Sequence, residues 1–401
     1  MANPYRELFS APGSLAFAAA GLVARIPVPM TGIGIIAMLA QMRGDYGLAG
    51  AVSAAFTLSM ALIAPQVSRL VDRLGQGRVL LPVTGISVAS LGALLLCARY
   101  GAPVWTLFVF AVLAGFMPSM AAMVRARWSE LYRDSPRLHT AFSLESVVDE
   151  LTFVIGPALS VSLCTALFPE AGPLVAAVFL AVGVLLFVAQ RRTEPVVVPA
   201  AEVTGGSAIE GGAVKFLVLV LVAGGVIVGT VDVVSVAFAE HLGQPAAAGI
   251  VVSVYALGSG LSGLVFGMRR LTVPLPRLLL VFTAGTALTT LPMLVVGGIP
   301  ALSVTVFFAG IFFAPTMIVV MGMVEKFVPA GKLTEGMTWA ITGLNIGVAL
   351  GAAAAGQAIE AFGVQGGFVI AAGAGGLTFL VALLAFPLLR RKSREVDPVA
   401  V

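Results

Sequence analysis

A charged side chain at the centre of a bilayer costs roughly 2.5 to 3.5 kcal/mol on insertion scales, so it should face protein or water and hold a partner. Five such residues stand inside long apolar runs of this 401-residue chain: Arg25, Glu145, Asp149, Glu150 and Asp232. At about 1.5 Å rise per residue, Arg25 lies roughly 18 to 20 Å from the near end of its run, and Asp149 and Glu150 roughly 12 to 15 Å from theirs. A long arginine reaching back is long enough to pair with either acid. A carboxylate in that position can carry a proton, with Arg25 favouring proton or solute according to the state. The alternative is a static ion pair that only orients two helices. Three acids face one base, so the surplus must protonate, find water or contact a cationic ligand.

Glu145 is one turn from Asp149 on the same helix face and only one turn into the membrane, so it is expected to reach the cytoplasmic surface. Asp232, in Gly229-Thr230-Val231-Asp232, has no basic residue at its level in its half of the chain. It is read as a protonation site, a contact for a cationic or hydroxyl-bearing solute, or a permanently protonated acid.

The elements that hold these residues follow from composition. Hydrophobic residues make up 59% of the chain, 46 more are glycine and 10% are charged, against about 25% charged in soluble domains. That excludes an ordinary water-soluble enzyme. The apolar runs are continuous for about 20 residues, so the spans are helices rather than barrel strands. They fall at 13–40, 47–68, 79–98, 103–124, 141–168, 171–190, 215–239, 246–268, 277–298, 301–323, 337–358 and 366–389. All of the 23 basic residues except Arg25, Arg43 and Arg99 lie in the tails and even-numbered loops. Both termini are therefore expected on the cytoplasmic side of a plasma or inner membrane. The first span is too long for a cleavable signal and carries an arginine in its middle.

Residues 191–214, rich in Pro, Gly, Val and Glu, read as a flexible cytoplasmic linker between halves 1–190 and 215–401. Cys97 and Cys164 have no nearby cysteine or histidine, so no disulfide, metal or other cofactor is expected. His139 and His241 sit at span ends with no nucleophile or metal cluster, which argues against an embedded enzyme. The basic residues are dispersed among loops, which argues against nucleic-acid binding.

The halves repeat. Shifted by about 195 to 199 residues, Phe56 overlays Tyr255, Arg78 overlays Arg277, Pro118-Ser119-Met120 overlays Pro315-Thr316-Met317, and Gly156 overlays Gly351. Six spans plus six with matching loops is the pattern of a duplicated transporter half. The loop Ser68-Arg69-Leu70-Val71-Asp72-Arg73-Leu74-Gly75-Gln76-Gly77-Arg78 resembles the major facilitator superfamily signature G-x-L-x-D-R-x-G-R-R. Leu70, Asp72, Arg73 and Gly75 match, Arg78 lies one position beyond the usual basic pair, and Ser68 replaces the first glycine.

The resemblance implies an all-α polytopic protein of two pseudo-symmetric six-helix bundles that expose a central cavity to each side in turn. It implies a monomer that binds a small-molecule solute and protons within the lipid bilayer. It also implies that Asp72 approaches the start of the eleventh span as an inside gate. There Glu335 already sits, so Arg73 or Arg78 is expected to bridge the two acids. Gly156-Pro157 resembles part of the antiporter signature of the drug:proton branch, which implies export, although the signature's other glycines are missing. The fourth span is read as lacking that branch's embedded arginine, with Arg125 and Arg127 at its cytoplasmic end.

The expected function is export of a small hydrophobic or cationic solute in exchange for protons. The alternative is proton-coupled import of a small sugar or carboxylate with Arg25 as anion anchor. The candidate proton-coupling residues are Asp149, Glu150, Arg25 and Asp232. The candidate cavity residues are Arg25, Phe116, Met120, Asp232, Tyr255, Phe313, Met317 and Asn345; the candidate gate is Asp72, Arg73, Gly75, Arg78 and Glu335. Pro27 and Pro29 are expected to kink the first span beside Arg25. The small-residue stripes Gly343, Gly347, Gly351 and Ser259, Gly263, Gly267 let helices approach closely, and the resemblance implies that their spans lie along the seam between bundles.

Overall fold

The computed structural model describes residues 4–43, 46–197, 206–244, 247–269 and 273–396. Residues 198–205 of the expected linker, and Arg270, lie outside the described residues. The regular elements among the described residues are all helical: α1 (Pro4–Leu8), α2 (Ser14–Arg25), α3 (Pro27–Arg43), α4 (Tyr46–Leu74), α5 (Gln76–Arg99), α6 (Val104–Ala114), α7 (Met120–Leu131), α8 (Arg137–Ala166), α9 (Ala171–Ala189), α10 (Gly212–His241), α11 (Ala247–Gly267), α12 (Leu275–Thr290), α13 (Ile299–Phe327), α14 (Leu333–Phe362) and α15 (Val364–Val396). Backbone polar groups in lipid must be satisfied within the segment, which is why each long apolar run folds as a helix. Eleven segments are long and apolar enough to cross a bilayer, α2 with α3 counting as one. With the broken pair α6 and α7 the fold is a twelve-span, all-α membrane protein.

Two spans are interrupted, both at proline. The first breaks at Ile26, so that Arg25 ends α2 and Pro27 begins α3. Pro27 and Pro29 cannot donate to the carbonyls four residues back, which makes continuation there costly. The fourth span, expected to be continuous over 103–124, stops at Ala114 and restarts at Met120. Pro118 has no N–H for the Ala114 carbonyl, and it disfavours helical backbone at Met117. Neighbouring helices satisfy the freed acceptors. Ser87 Oγ of α5 donates to the Ala114 carbonyl at 2.6 Å and Ser59 Oγ of α4 to the Val112 carbonyl at 2.6 Å.

The chain divides into two compact units, Met1–Arg133 with Val148–Thr204, and Asp134–Val147 with Gly205–Val401. Within the second, α10 and α14 approach through glycine. Gly347 lies against the Val222 carbonyl, Gly351 against the Val226 carbonyl and Gly229 against the Val348 carbonyl, with no room for a Cβ at any of them. The Gly343-Gly347-Gly351 stripe therefore packs on α10 inside this unit, where the seam between bundles was expected. Gly263 lies near Ala314 of α13 and Val147 of α8. His139 Nε2 and Thr140 Oγ1 bond the Phe266 and Gly267 carbonyls at 2.8 Å each, capping the last turn of α11.

Candidate functional site

Three segments of the first unit bring a charge cluster together. Arg25, at the break of the first span, places Nη1 2.8 Å from Asp149 Oδ1 on α8. Arg125, from the middle of α7, places Nη2 2.7 Å from Asp149 Oδ2. The carboxylate is thus divided between two guanidinium groups, one oxygen to each. Arg25 and Arg125 are 4% and 0% exposed, whereas Asp149 keeps 22% of its side chain accessible. Arg25 Nε also points at the Gly21 carbonyl, 3.4 Å away. Buried charges of opposite sign in such contact fix one another's position, and removing one leaves the others uncompensated.

Local sequence explains why the partners converge. α2 lies close on α9 because Gly183 offers no Cβ to the Ala24 backbone, and α8 lies close on the first-span kink because Gly156 sits against Pro29. The short helix α7 is buried nearly all round, with Met120, Ala122, Met123, Val124, Arg125, Ala126, Arg127, Trp128 and Ser129 inaccessible. Its end is held by aromatic contacts. The Trp128 ring lies 4.6 Å from Phe17 edge-on and 5.8 Å from Tyr132 stacked, and the Tyr132 hydroxyl donates to the Leu8 carbonyl at 2.7 Å.

Sequence reasoning missed Arg125. The expectation that the fourth span carries no embedded arginine is overturned, because Arg125 is fully buried and meets Asp149 directly. Arg127 is equally buried and does different work. Its Nε donates to Gln76 Oε1 at 2.7 Å and its Nη1 to the Gln190 carbonyl and Thr193 Oγ1 at 2.9 Å each, with the guanidinium 3.8 Å from the Phe187 ring centre. Gln76 Nε2 passes the chain on to the Met123 carbonyl at 3.1 Å.

Glu145, expected to reach the surface, is instead 2% exposed, because burial continues to the start of α8. Glu150 is half-buried, and neither acid is without a partner. Asp232 is exposed and makes no hydrogen bond or ion pair among the described residues. Met120 and Met317 are buried, Phe116, Phe313 and Asn345 half-buried. Tyr255 lies in the apolar core of the second unit, its ring 6.2 Å from Phe313.

The signature loop is a tight corner between α4 and α5. Gly75 adopts φ +90°, a backbone conformation that a side chain would strain. The Gly77 N–H donates to Glu194 Oε1 at 2.7 Å, so the linker's first residues are docked on this corner. The far end of the linker is docked as well. Glu335, buried at the start of α14, accepts from Ser207 Oγ and from the Ala208 N–H at 3.2 Å. Of the expected gate residues on this corner, Arg73 and Arg78 are exposed, while Asp72 is half-buried and has a partner.

A family model of the Major Facilitator Superfamily matches residues 14–238 and 216–400. The chain belongs to that superfamily, so it is a membrane transporter that binds a small-molecule solute. No curated protein matches it. Its fold is similar to that of the human organic anion transporter MFSD10, at 14% identity over 93% of this chain and 100% of that one, with a TM-score of 0.72. A bacterial homologue of the iron transporter ferroportin is similar at 15% identity over 96% and 100% of the two chains, TM-score 0.72. A variant of the E. coli fucose:proton symporter FucP is similar at 12% identity over 94% and 99%, TM-score 0.68.

Proposed function

We propose that this chain is a secondary active transporter that exports a small organic solute in exchange for protons by alternating access, and that Asp149 is where the proton acts. It works as a monomer in a plasma or inner membrane with both termini cytoplasmic. The observation that carries this reading is the division of one accessible carboxylate between two buried arginines. A proton on Asp149 removes the charge that holds both guanidinium groups. α2, α7 and α8 then lose their common fastening at the break of the first span. Protonation is thereby linked to the arrangement of three helices in one bundle, which is what coupling to a conformational cycle requires.

Direction has a second reading. Release of two guanidinium groups by one proton suits a cycle in which proton and solute are bound together, as in proton-coupled import. The similar structures are named for an organic anion transporter, a fucose:proton symporter and a homologue of an iron transporter, so the fold favours neither direction. Asp232, which makes no hydrogen bond or ion pair among the described residues, supports the exchange reading.

A thermal-shift screen of the purified protein with cationic, neutral and anionic compounds supplies solutes for the test. Vesicles with a trapped pH dye then report proton flux on addition of a hit. The wild type is expected to move protons with solute, outward solute driving protons in for exchange and both moving together for import. Asp149→Asn is expected to exchange solute without moving protons. Unchanged proton coupling in Asp149→Asn and in Glu150→Gln would remove both residues from the coupling role.

A further inference from the structure

Arg125 is bonded in a way that the ion pair alone does not explain. Its side chain is fully buried, yet among the described residues Nε reaches no acceptor and Nη1 meets just the Ala121 carbonyl at 3.4 Å. Nη2 alone makes a short bond, 2.7 Å, to Asp149. A guanidinium fits a carboxylate best through two parallel N–H bonds. Asp149 cannot offer both oxygens to Arg125, because the other is committed to Arg25 at 2.8 Å. Arg127 differs, since its own open Nη2 belongs to a guanidinium stacked on Phe187 and bonded to three acceptors. A buried donor left open in a charged cluster marks a place where a further group belongs.

We propose that Arg25 and Arg125 form the solute's anion site, that Asp149 is the internal carboxylate occupying it between cycles, and that the solute is a small organic carboxylate. This rests on the reading of the cluster as the coupling site and adds the charge of the solute to it. The exchange is like for like: one carboxylate leaves the two guanidinium groups as another arrives, so buried positive charge is never left without a counter-charge. Asp149 is the member able to leave, because it alone is accessible. The arginines are fixed, Arg25 at a helix end packed against Gly183, and Arg125 on a buried half-helix anchored by Trp128. A cationic solute at this place would meet two arginines.

The test is chemical rescue. Asp149→Ala leaves a hole the size of an acetate, and its thermal unfolding is followed in sodium acetate, in sodium chloride of equal ionic strength and in acetamide. Acetate is expected to raise the midpoint by about 2 °C or more above chloride, acetamide to leave it unchanged, and the added Arg125→Gln change to abolish the acetate effect. Equal midpoints in acetate and chloride, or an acetate effect that survives Arg125→Gln, would overturn the proposal. Asp149→Asn, closer in shape, carries the same comparison if Asp149→Ala does not fold; acetate is expected to raise its midpoint by less, and no rise in a purified variant counts against the anion site. Loss of proton coupling in Asp149→Asn without acetate rescue would leave the coupling role standing and the anion site refuted. Rescue with coupling intact would do the reverse.

Discussion

The two units solve the same packing problem with different chemistry. In the first, helices α2, α7 and α8 meet on charge, with Arg25 and Arg125 on one Asp149. In the second, α10 and α14 meet on bare backbone, with Gly347 and Gly351 against the Val222 and Val226 carbonyls. Charge contacts are specific and can be cancelled by one proton, whereas a glycine seam depends only on volume and is indifferent to protonation. The junction that one proton can cancel thus lies in the first unit, even though glycine also seats α2 on α9 there, through Gly183.

The largest expected effect separates the two. Asp149→Leu leaves two buried guanidinium groups facing each other and should cost about 3–5 kcal/mol in thermal unfolding of the detergent-solubilised protein; a change under 1 kcal/mol, roughly, would mean the cluster is solvated and the contrast false. Next comes Arg127→Lys, which forfeits the planar fork shared by Gln76, Gln190 and Thr193. It should cost about 1.5–3 kcal/mol and raise hydrogen exchange in the Gly75–Arg78 corner.

On the other side, Gly347→Ala puts a methyl on the Val222 carbonyl and should cost about 1–3 kcal/mol equally at acid and neutral pH; a strong pH dependence would show that charge governs this seam too. The smallest effect belongs to Asp232→Asn, which removes a charge with no partner among the described residues and should change stability by no more than about 0.5 kcal/mol. A loss as large as that of Asp149→Leu would reveal an ion pair in the second unit and end the comparison.

The twelve spans were legible because lipid allows a long apolar run only one regular backbone, and the kink at Ile26 because two prolines follow it. Depth put Arg25 level with Asp149 and Glu150 without choosing between them. Arg125 was not legible, because it opens a charged stretch, Arg125 to Arg137, that reads as a surface loop. The missed signal was Pro118 with Gly115. Where the repeat puts Phe312 in place of Gly115, Pro315 is carried inside an unbroken α13; at Gly115 a side chain would strike Ser59 and the Met60 backbone. The close approach of α4 goes with the broken helix, and the break lets a second, buried half-helix begin with its arginines pointing inward. The glycine stripe of α14 was correctly read as a packing surface and assigned the wrong partner, because spacing shows a face and not what lies opposite.

Docking at both ends changes what the linker is. Glu194 is fastened to the Gly77 corner, and Ser207 with Ala208 to Glu335. The cord between the anchors runs from 195 to 206, roughly 40 Å at full extension. That length limits how far apart the two anchors can lie. It also defines a point of division: a chain cut between Val197 and Gly206 should yield two fragments, each keeping its own anchored stub, able to reassemble when co-expressed.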